Sequence, residues 1–210
     1  MTAPARRARE PQSSHLIKMI YIIRHGQTEL NNKKALQGRS DHPLNDTGIQ
    51  QAQEAAAMLQ NVKFDVVYSS PLIRAVQTAK ILAPELEPII DERLIEMDYG
   101  PYEGMDLQNL APEVITFFSD FIHNPAPDGM EQLSSVVERA GLFIKEHGRT
   151  NSNILISTHA IAMKGILEYL TPESRGGYWN KYVGNCEVYI TEYLPDGTWT
   201  VPVRYQPDEA

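Results

Sequence analysis

Two arginines and two histidines stand at or just beyond the ends of apolar runs in this 210-residue chain. Met19–Ile23 runs into Arg24-His25-Gly26, Phe64–Tyr68 into Ser69-Ser70-Pro71 and then Arg74, and Ile154–Ser157 into Thr158-His159. A neutral imidazole held in one tautomer can attack phosphorus. A guanidinium beside it disfavours the imidazolium and neutralises a phosphate oxygen, so Arg24 is placed to serve His25 in both ways. Gly26 lets the backbone approach the anion closely. Arg74 and a protonated His159 would clamp the remaining oxygens. An alcohol leaving group needs a proton, and Glu96, in the turn-rich segment from Leu94 to Gly104, would donate it if burial raises its pKa. Such a group gathered at one edge suits a small dianion, and phosphate is the obvious candidate.

Gathering these side chains requires strands that end together. In an open α/β sheet, ligands bind at the carboxyl ends of the strands. Asn45-Asp46-Thr47 offer capping oxygens to a helix whose Ile49, Ala52, Ala56 and Leu59 recur at helical spacing. Ser70-Pro71 predicts the start of a second helix, with Leu72, Ala75, Val76 and Ala79 inward and Arg74 off that stripe in the first turns. A short apolar step follows at Pro88–Ile90. The repeat Leu107, Leu110, Val114, Phe117, Phe118, Phe121 predicts a further helix, and Leu133, Val136, Val137, Ala140, Ile144 another. Helix Ile161–Leu170 follows the strand Ile154–Ser157. The chain then changes character: Val188–Leu194, the turn Pro195-Asp196-Gly197 and Trp199–Tyr205 read as a hairpin, with Pro202 placing its strand at a sheet edge. The expected fold is α/β, a three-layer sandwich with a mostly parallel central sheet, helices on both faces and a C-terminal hairpin.

Composition limits the alternatives. A net charge of −8 argues against a nucleic-acid binder, so positive charge must be concentrated in a small island. No apolar stretch reaches the ~18 residues of a membrane-spanning helix. Cys186, the only cysteine, excludes an internal disulfide framework and fits a reducing, cytoplasmic setting; it reads as a packing residue near a strand start. Residues 1–18 hold Arg6, Arg7 and Arg9 without the apolar centre of a secretory signal, and read as a flexible extension before a single domain over 19–210. Asp41, His42 and Asp46 lack ligand-grade spacing, so no metal site is expected. His15, His42, His123 and His147 read as surface or packing residues.

The blocks around the candidate residues resemble the histidine phosphatase superfamily, also called the phosphoglycerate mutase-like family, over essentially the whole chain after residue 18. Arg24-His25-Gly26-Gln27-Thr28-Glu29-Leu30-Asn31 is similar to the family's Arg-His-Gly-Glu-Thr-x-x-Asn opening. Gly38, Asp41, Pro43-Leu44 and Gly48 with Gln51-Ala52 keep the usual spacing. Ser69-Ser70-Pro71-Leu72, Arg74-Ala75 and Gln77-Thr78-Ala79 match the second block. Leu94-Ile95-Glu96-Met97-Asp98-Tyr99-Gly100 with Glu103-Gly104 matches the block of the proton donor, and Thr158-His159-Ala160 the last, with alanine for the usual glycine. The resemblance implies a covalent phosphohistidine at His25, a phosphate pocket completed by Arg24, Arg74 and His159, and Glu96 as acid and then base. It also implies phosphate or substrate contacts at Gly26, Asn31, Gln37, Gly38 and Ala160, and no cofactor.

The family contains phosphatases and mutases. No lysine or arginine lies between Arg93 and Arg139, so a carboxylated substrate finds no cationic partner there and water is favoured as the acceptor. The expected function is therefore hydrolysis of a small phosphomonoester. The alternatives are mutase-type phosphoryl transfer and a phosphate-binding regulatory domain with little turnover. Lys33, Lys34 and Arg39 are candidates for a second phosphate, and the Phe117–Phe121 stripe for a helix face packing on the core or an apolar wall over the site.

Overall fold

Along each central strand, alternate side chains feed opposite faces of one sheet, which is why helices cover both sides. A computed structural model describes residues 19–149 and 152–206; the extension expected over residues 1–18 lies outside them. The elements are β1 (Met19–Arg24), α1 (Glu29–Asn32), α2 (Asp46–Met58), β2 (Val66–Ser69), α3 (Ile73–Leu82), β3 (Ile89–Ile90), α4 (Pro112–Ser119), α5 (Leu133–His147), β4 (Ile154–Thr158), α6 (Ala160–Leu170), β5 (Val188–Glu192) and β6 (Val203–Arg204). The sheet order is β3-β2-β4-β1-β5-β6. The first four strands of that order run parallel, β5 pairs antiparallel with β1, and β6 pairs antiparallel with β5. Ile20, Ile22, Ile154 and Ile156 pack against Phe143 and Ile144 of α5 and Met163, Ile166 and Leu167 of α6. Tyr21, Ile23, Val67 and Leu155 pack on the other face against Ala52 and Ala55 of α2 and Ala79 and Leu82 of α3. This is the three-layer α/β sandwich that the strand and helix periodicities predict.

The chemistry-bearing residues meet because three strands end in register. Arg24 is paired with Thr158, and Ser69 with Ser157, so His25, Ser70 and His159 leave the sheet at one carboxyl edge.

Several boundaries differ from the sequence reading. The helix expected from Leu107 begins at Pro112, because Asp106 accepts the Gln108 and Asn109 amides in a turn. It stops at Ser119, where Asp120 Oδ1 accepts from the Ile122 and His123 amides at 3.0 and 3.2 Å, and Phe121 falls beyond its end. The helix expected from Ser70-Pro71 starts instead at Ile73, with Leu72 as a cap residue that makes no side-chain cap bond. Asp41 Oδ1 accepts from the Ile73 amide at 2.7 Å in its place. The second limb of the hairpin narrows to a bridge at Tyr193–Trp199 and the two residues of β6, with Pro202 just before that edge strand as expected.

Candidate active site

Four groups form the centre. His25 is buried, and its Nδ1 lies 2.6 Å from the Gly26 carbonyl, so Nδ1 carries the proton and Nε2 keeps its lone pair. Arg74 Nε donates to that Nε2 at 3.2 Å. The same fully buried guanidinium donates to the Ser40 and Gly38 carbonyls at 2.7 and 2.6 Å, so three bonds fix its plane. The His159 ring lies 5.1 Å from the His25 ring, and its Nε2 meets Ser70 Oγ at 2.7 Å. Arg24 ends β1 and donates from Nη1 to the Val183 carbonyl at 2.6 Å.

Electrostatics keep both imidazoles neutral in the free protein. Burial, then Arg74 and Arg24, hold His25 well below the ordinary histidine value. Burial, then Arg74 and His25, do the same to His159. The protonated His159 expected from the sequence is therefore corrected for the free site, since nearby cations and desolvation oppose that charge. Burial lowers Arg74 to about 10, which leaves it a cation at neutral pH.

Glu96 is buried beside this group. Its Oε1 accepts from the Met97 and Ala162 amides at 2.8 and 2.9 Å, and Oε2 from the Ile161 amide at 3.2 Å. Ile161 and Ala162 are in the first turn of α6, whose cap residue His159 makes no side-chain cap bond. Glu96 thus satisfies two of that helix's free donors from outside.

The two glycines have partners within the protein. The Gly26 amide donates to Thr78 Oγ1 at 3.1 Å, and a Cβ there would lie 2.4 Å from the Gly48 carbonyl. Its smallness makes room for α2. The Gly38 amide is likewise held by Glu103, at 2.9 and 3.0 Å from its two oxygens. Asn31 Nδ2 donates to Gln37 Oε1 at 3.4 Å. Thr28 Oγ1 donates to Gln37 Oε1 at 2.6 Å, and Asn31 Oδ1 accepts from Asn185 Nδ2 at 3.3 Å. Ala160 opens α6, and its amide, at the first helical position, has no acceptor within the helix. Arg39 is engaged by Asp98 and Glu131 at 3.3 and 3.4 Å, while Lys33 pairs with Glu29 on the surface.

Several residues that complete the arrangement are ones the sequence reading missed. Asn185 Nδ2 donates to the His25 carbonyl at 3.0 Å, and the Cys186 amide to the Arg24 carbonyl at 3.0 Å. Ser70, expected to cap a helix, orients His159. Thr78 ties Gly26 to α3 by also donating to the Arg74 carbonyl at 2.8 Å. Thr78 lies one helical turn from Arg74, a spacing that could have revealed it. Tyr99 is buried close enough to Glu96 and Arg24 for both to act on its phenol, which burial pushes well above the ordinary value. Met97, Tyr99, Phe117, Ile161 and Trp179 form one apolar cluster, so α4 packs on residues that flank Glu96. Among the described residues, no group of acidic, histidine or cysteine side chains could hold a metal.

Among the described residues, the buried side-chain nitrogen and oxygen atoms without a hydrogen-bond partner are Arg24 Nε, Gln37 Nε2 and His159 Nδ1. All three belong to residues named from the sequence as anion contacts. Buried polar atoms are ordinarily satisfied, and an anion supplies the acceptors these need.

The chain is 30% identical over 172 residues to phosphoserine phosphatase 1 of Hydrogenobacter thermophilus, covering 79% of this chain and 81% of that one. It is 31% identical over 194 residues to phosphoglycerate mutase-like protein 4 of Arabidopsis thaliana, covering 88% and 83%. Its fold is similar to that of phosphoserine phosphatase from Entamoeba histolytica in complex with 3-phosphoglyceric acid, with a TM-score of 0.77 and 26% identity over 92% of this chain and 98% of that one. The model of the histidine phosphatase superfamily (branch 1) matches residues 20–205, and the chain belongs to that superfamily.

Proposed function

We propose that the protein hydrolyses small phosphomonoesters through a covalent phosphohistidine at His25. The reading is carried by the three unpartnered buried atoms, Arg24 Nε, Gln37 Nε2 and His159 Nδ1, together with a histidine whose unprotonated nitrogen is Nε2, held by the Arg74 donor until the ester binds and Arg74 turns to the phosphoryl oxygens. The Nε2 lone pair forms the bond to phosphorus as the ester P–O bond breaks and its electron pair leaves with the alcohol oxygen. Glu96 gives that oxygen a proton. Arg24, Arg74 and His159 neutralise the phosphoryl oxygens, in the loose transition state that such transfers use. The dianion reverses the field that kept His159 neutral, so His159 takes up a proton as the ester binds. Glu96, now a carboxylate, takes a proton from water, whose oxygen attacks phosphorus and returns the electron pair to Nε2. Asn31 and Gln37 frame the phosphate, and the Ala160 amide, free at the start of α6, donates to it from the backbone.

Water is the acceptor in this reading, not a second site on the substrate. Arg93 and Arg139 are engaged with Asp91, Glu146 and Glu131, so neither is free for a substrate carboxylate. The domain begins at residue 19, and the buried thiol of Cys186 suits the cytoplasm. Among the described residues no helix is long and apolar enough to cross a membrane.

Rapid-quench labelling without added metal tests the reading. A phosphoenzyme that is acid-labile and alkali-stable, absent from His25→Ala together with turnover, is the expected result. Phosphate binding with no label and no turnover across a panel of phosphomonoesters would instead favour a regulatory binding domain. Inhibition by a chelator would overturn the metal-independent chemistry.

A further inference from the structure

The carboxylate of Glu96 is held by amides, but the main chain around it is held by side chains: Arg39 Nε reaches the Glu96 carbonyl at 3.5 Å, and a stronger grip comes from Arg139 and Glu131. Arg139, in α5, donates from Nη1 to the Arg93 and Ile95 carbonyls at 2.8 and 2.5 Å. Its Nε and Nη2 grip both oxygens of Glu131 at 2.8 and 3.1 Å. Glu131 Oε2 in turn accepts from the Asp98 amide at 3.2 Å, and the Glu131 amide donates to the Asp98 carbonyl at 2.8 Å. The Ile95–Glu96 peptide before Glu96, and Asp98 two residues after it, are thereby fixed to one bidentate ion pair, whose side chains are only 15% and 11% exposed.

We infer that Arg139 and Glu131 form a clamp that positions Glu96 for proton transfer to the leaving group. The inference rests on the proton-donor role proposed for Glu96. Hydrophobic packing alone does not explain the arrangement: a desolvated ion pair is a poor source of stability, and apolar residues of the same volume serve as well or better. What the pair supplies is direction. A planar guanidinium reaches two carbonyls and a carboxylate in fixed geometry, which a lysine does not. A misplacement of about 1 Å at a catalytic group can cost on the order of a hundredfold in rate.

The leaving group provides the test. An alkyl phosphate needs its oxygen protonated as it departs, while p-nitrophenyl phosphate expels a stable phenolate. kcat/KM, which reports the step that releases the alcohol, is compared for both esters in the wild type, Glu96→Gln, Arg139→Lys, Glu131→Gln and the Glu96→Gln/Arg139→Lys double variant. Loss of a general acid costs about a hundredfold or more on the ester that needs it, so Glu96→Gln is expected to show that loss on the alkyl ester and much less on the aryl ester. Arg139→Lys and Glu131→Gln are expected to lose about tenfold on the alkyl ester and under about threefold on the aryl ester. The double variant should be no worse than Glu96→Gln alone on the alkyl ester, because the clamp's effect on the leaving group passes through that residue and Arg139→Lys keeps the charge near His159.

Equal losses on both esters in Arg139→Lys and Glu131→Gln overturn the clamp and mark the pair as structural. So does an additive double variant. If Glu96→Gln itself fails to distinguish the esters, the proton-donor reading falls and the clamp falls with it. Discrimination by Glu96→Gln without discrimination by either clamp variant removes the clamp alone.

Discussion

His25 and His159 combine full burial with two nearby guanidinium groups, and that combination has a thermodynamic cost that can be measured without substrate. In the unfolded chain each takes a proton near the ordinary value of 6.5; in the folded chain each is held well below it. Between those values the unfolded state binds more protons, so stability rises with pH and is lost as pH falls through the window below 6.5. The limiting slope is about 1.4 kcal/mol per pH unit for each such histidine. Urea midpoints measured from about pH 7.5 to about 5.5, above the range where most carboxylates titrate, should fall steadily, and His25→Ala should flatten part of that slope. A midpoint constant over the range would show that the two imidazoles are not held neutral. At this scale the sequence was informative where a side chain leaves a strand end, because strand register alone brings Arg24, His25 and His159 together. It was uninformative about why Gly26 is glycine. The carbonyl it must avoid belongs to Gly48, and no local pattern announces that contact.

The Gly26–Gly48 contact is equally a property of α2. Gly48 lies in the first turn of that helix, and its amide donates to the cap residue Asn45 at 2.8 Å. Alanine is the better helix former by about 1 kcal/mol, so propensity alone recommends Gly48→Ala. A Cβ there would meet the Gln27 carbonyl oxygen at 2.0 Å and its amide nitrogen at 2.7 Å, and neither is a flexible side-chain end. The clash wins. Gly48→Ala is expected to destabilise the protein by about 1–3 kcal/mol, read as a lower melting temperature, and to slow turnover by pushing Gln27 against the loop that carries His25. An unchanged or higher melting temperature would contradict the packing account. The helices were legible where an apolar stripe meets a capping residue, as Asn45 shows for α2. They were misread where a polar side chain had another task. Ser70 serves His159 instead of capping α3, and Asp106 closes a turn that keeps Leu107 and Leu110 out of α4.

At the scale of the molecule, two apolar cores sandwich the sheet and a third ties the segment carrying α4 to the site. Phe117 is 1% exposed in that third core, alongside Met97 and Ile161, the neighbours whose amides hold Glu96. Phe117→Ala is expected to cost about 3–5 kcal/mol, and the loosening should reach Glu96 through those contacts. Hydrogen exchange at the Met97 and Ile161 amides should quicken in the variant, together with a loss of kcat/KM. Faster exchange confined to residues 112–119 would show that this core is independent of the site. The α/β sandwich as a whole was legible because its strands and helices alternate with clean periodicity. The closure of the site was not, since Val183 and Asn185 act on residues 159 and 160 positions earlier.

That separation along the chain bears on the protein's birth. β1 is the first described strand to leave the ribosome, yet it lies between β4 and β5 in the sheet, and Arg24 has its Val183 acceptor only when the chain beyond residue 183 has emerged. A nascent chain can therefore assemble α2, α3 and most of the sheet while its arginine still lacks an acceptor and its nucleophile still lacks the Asn185 bond. Synthesis should thus pass through a folded but inactive intermediate that becomes a phosphatase once Val183 and Asn185 are free to fold. Ribosome-bound chains arrested at successive lengths should gain turnover only after Asn185 clears the exit tunnel, and activity in a chain arrested upstream of it would refute this timing.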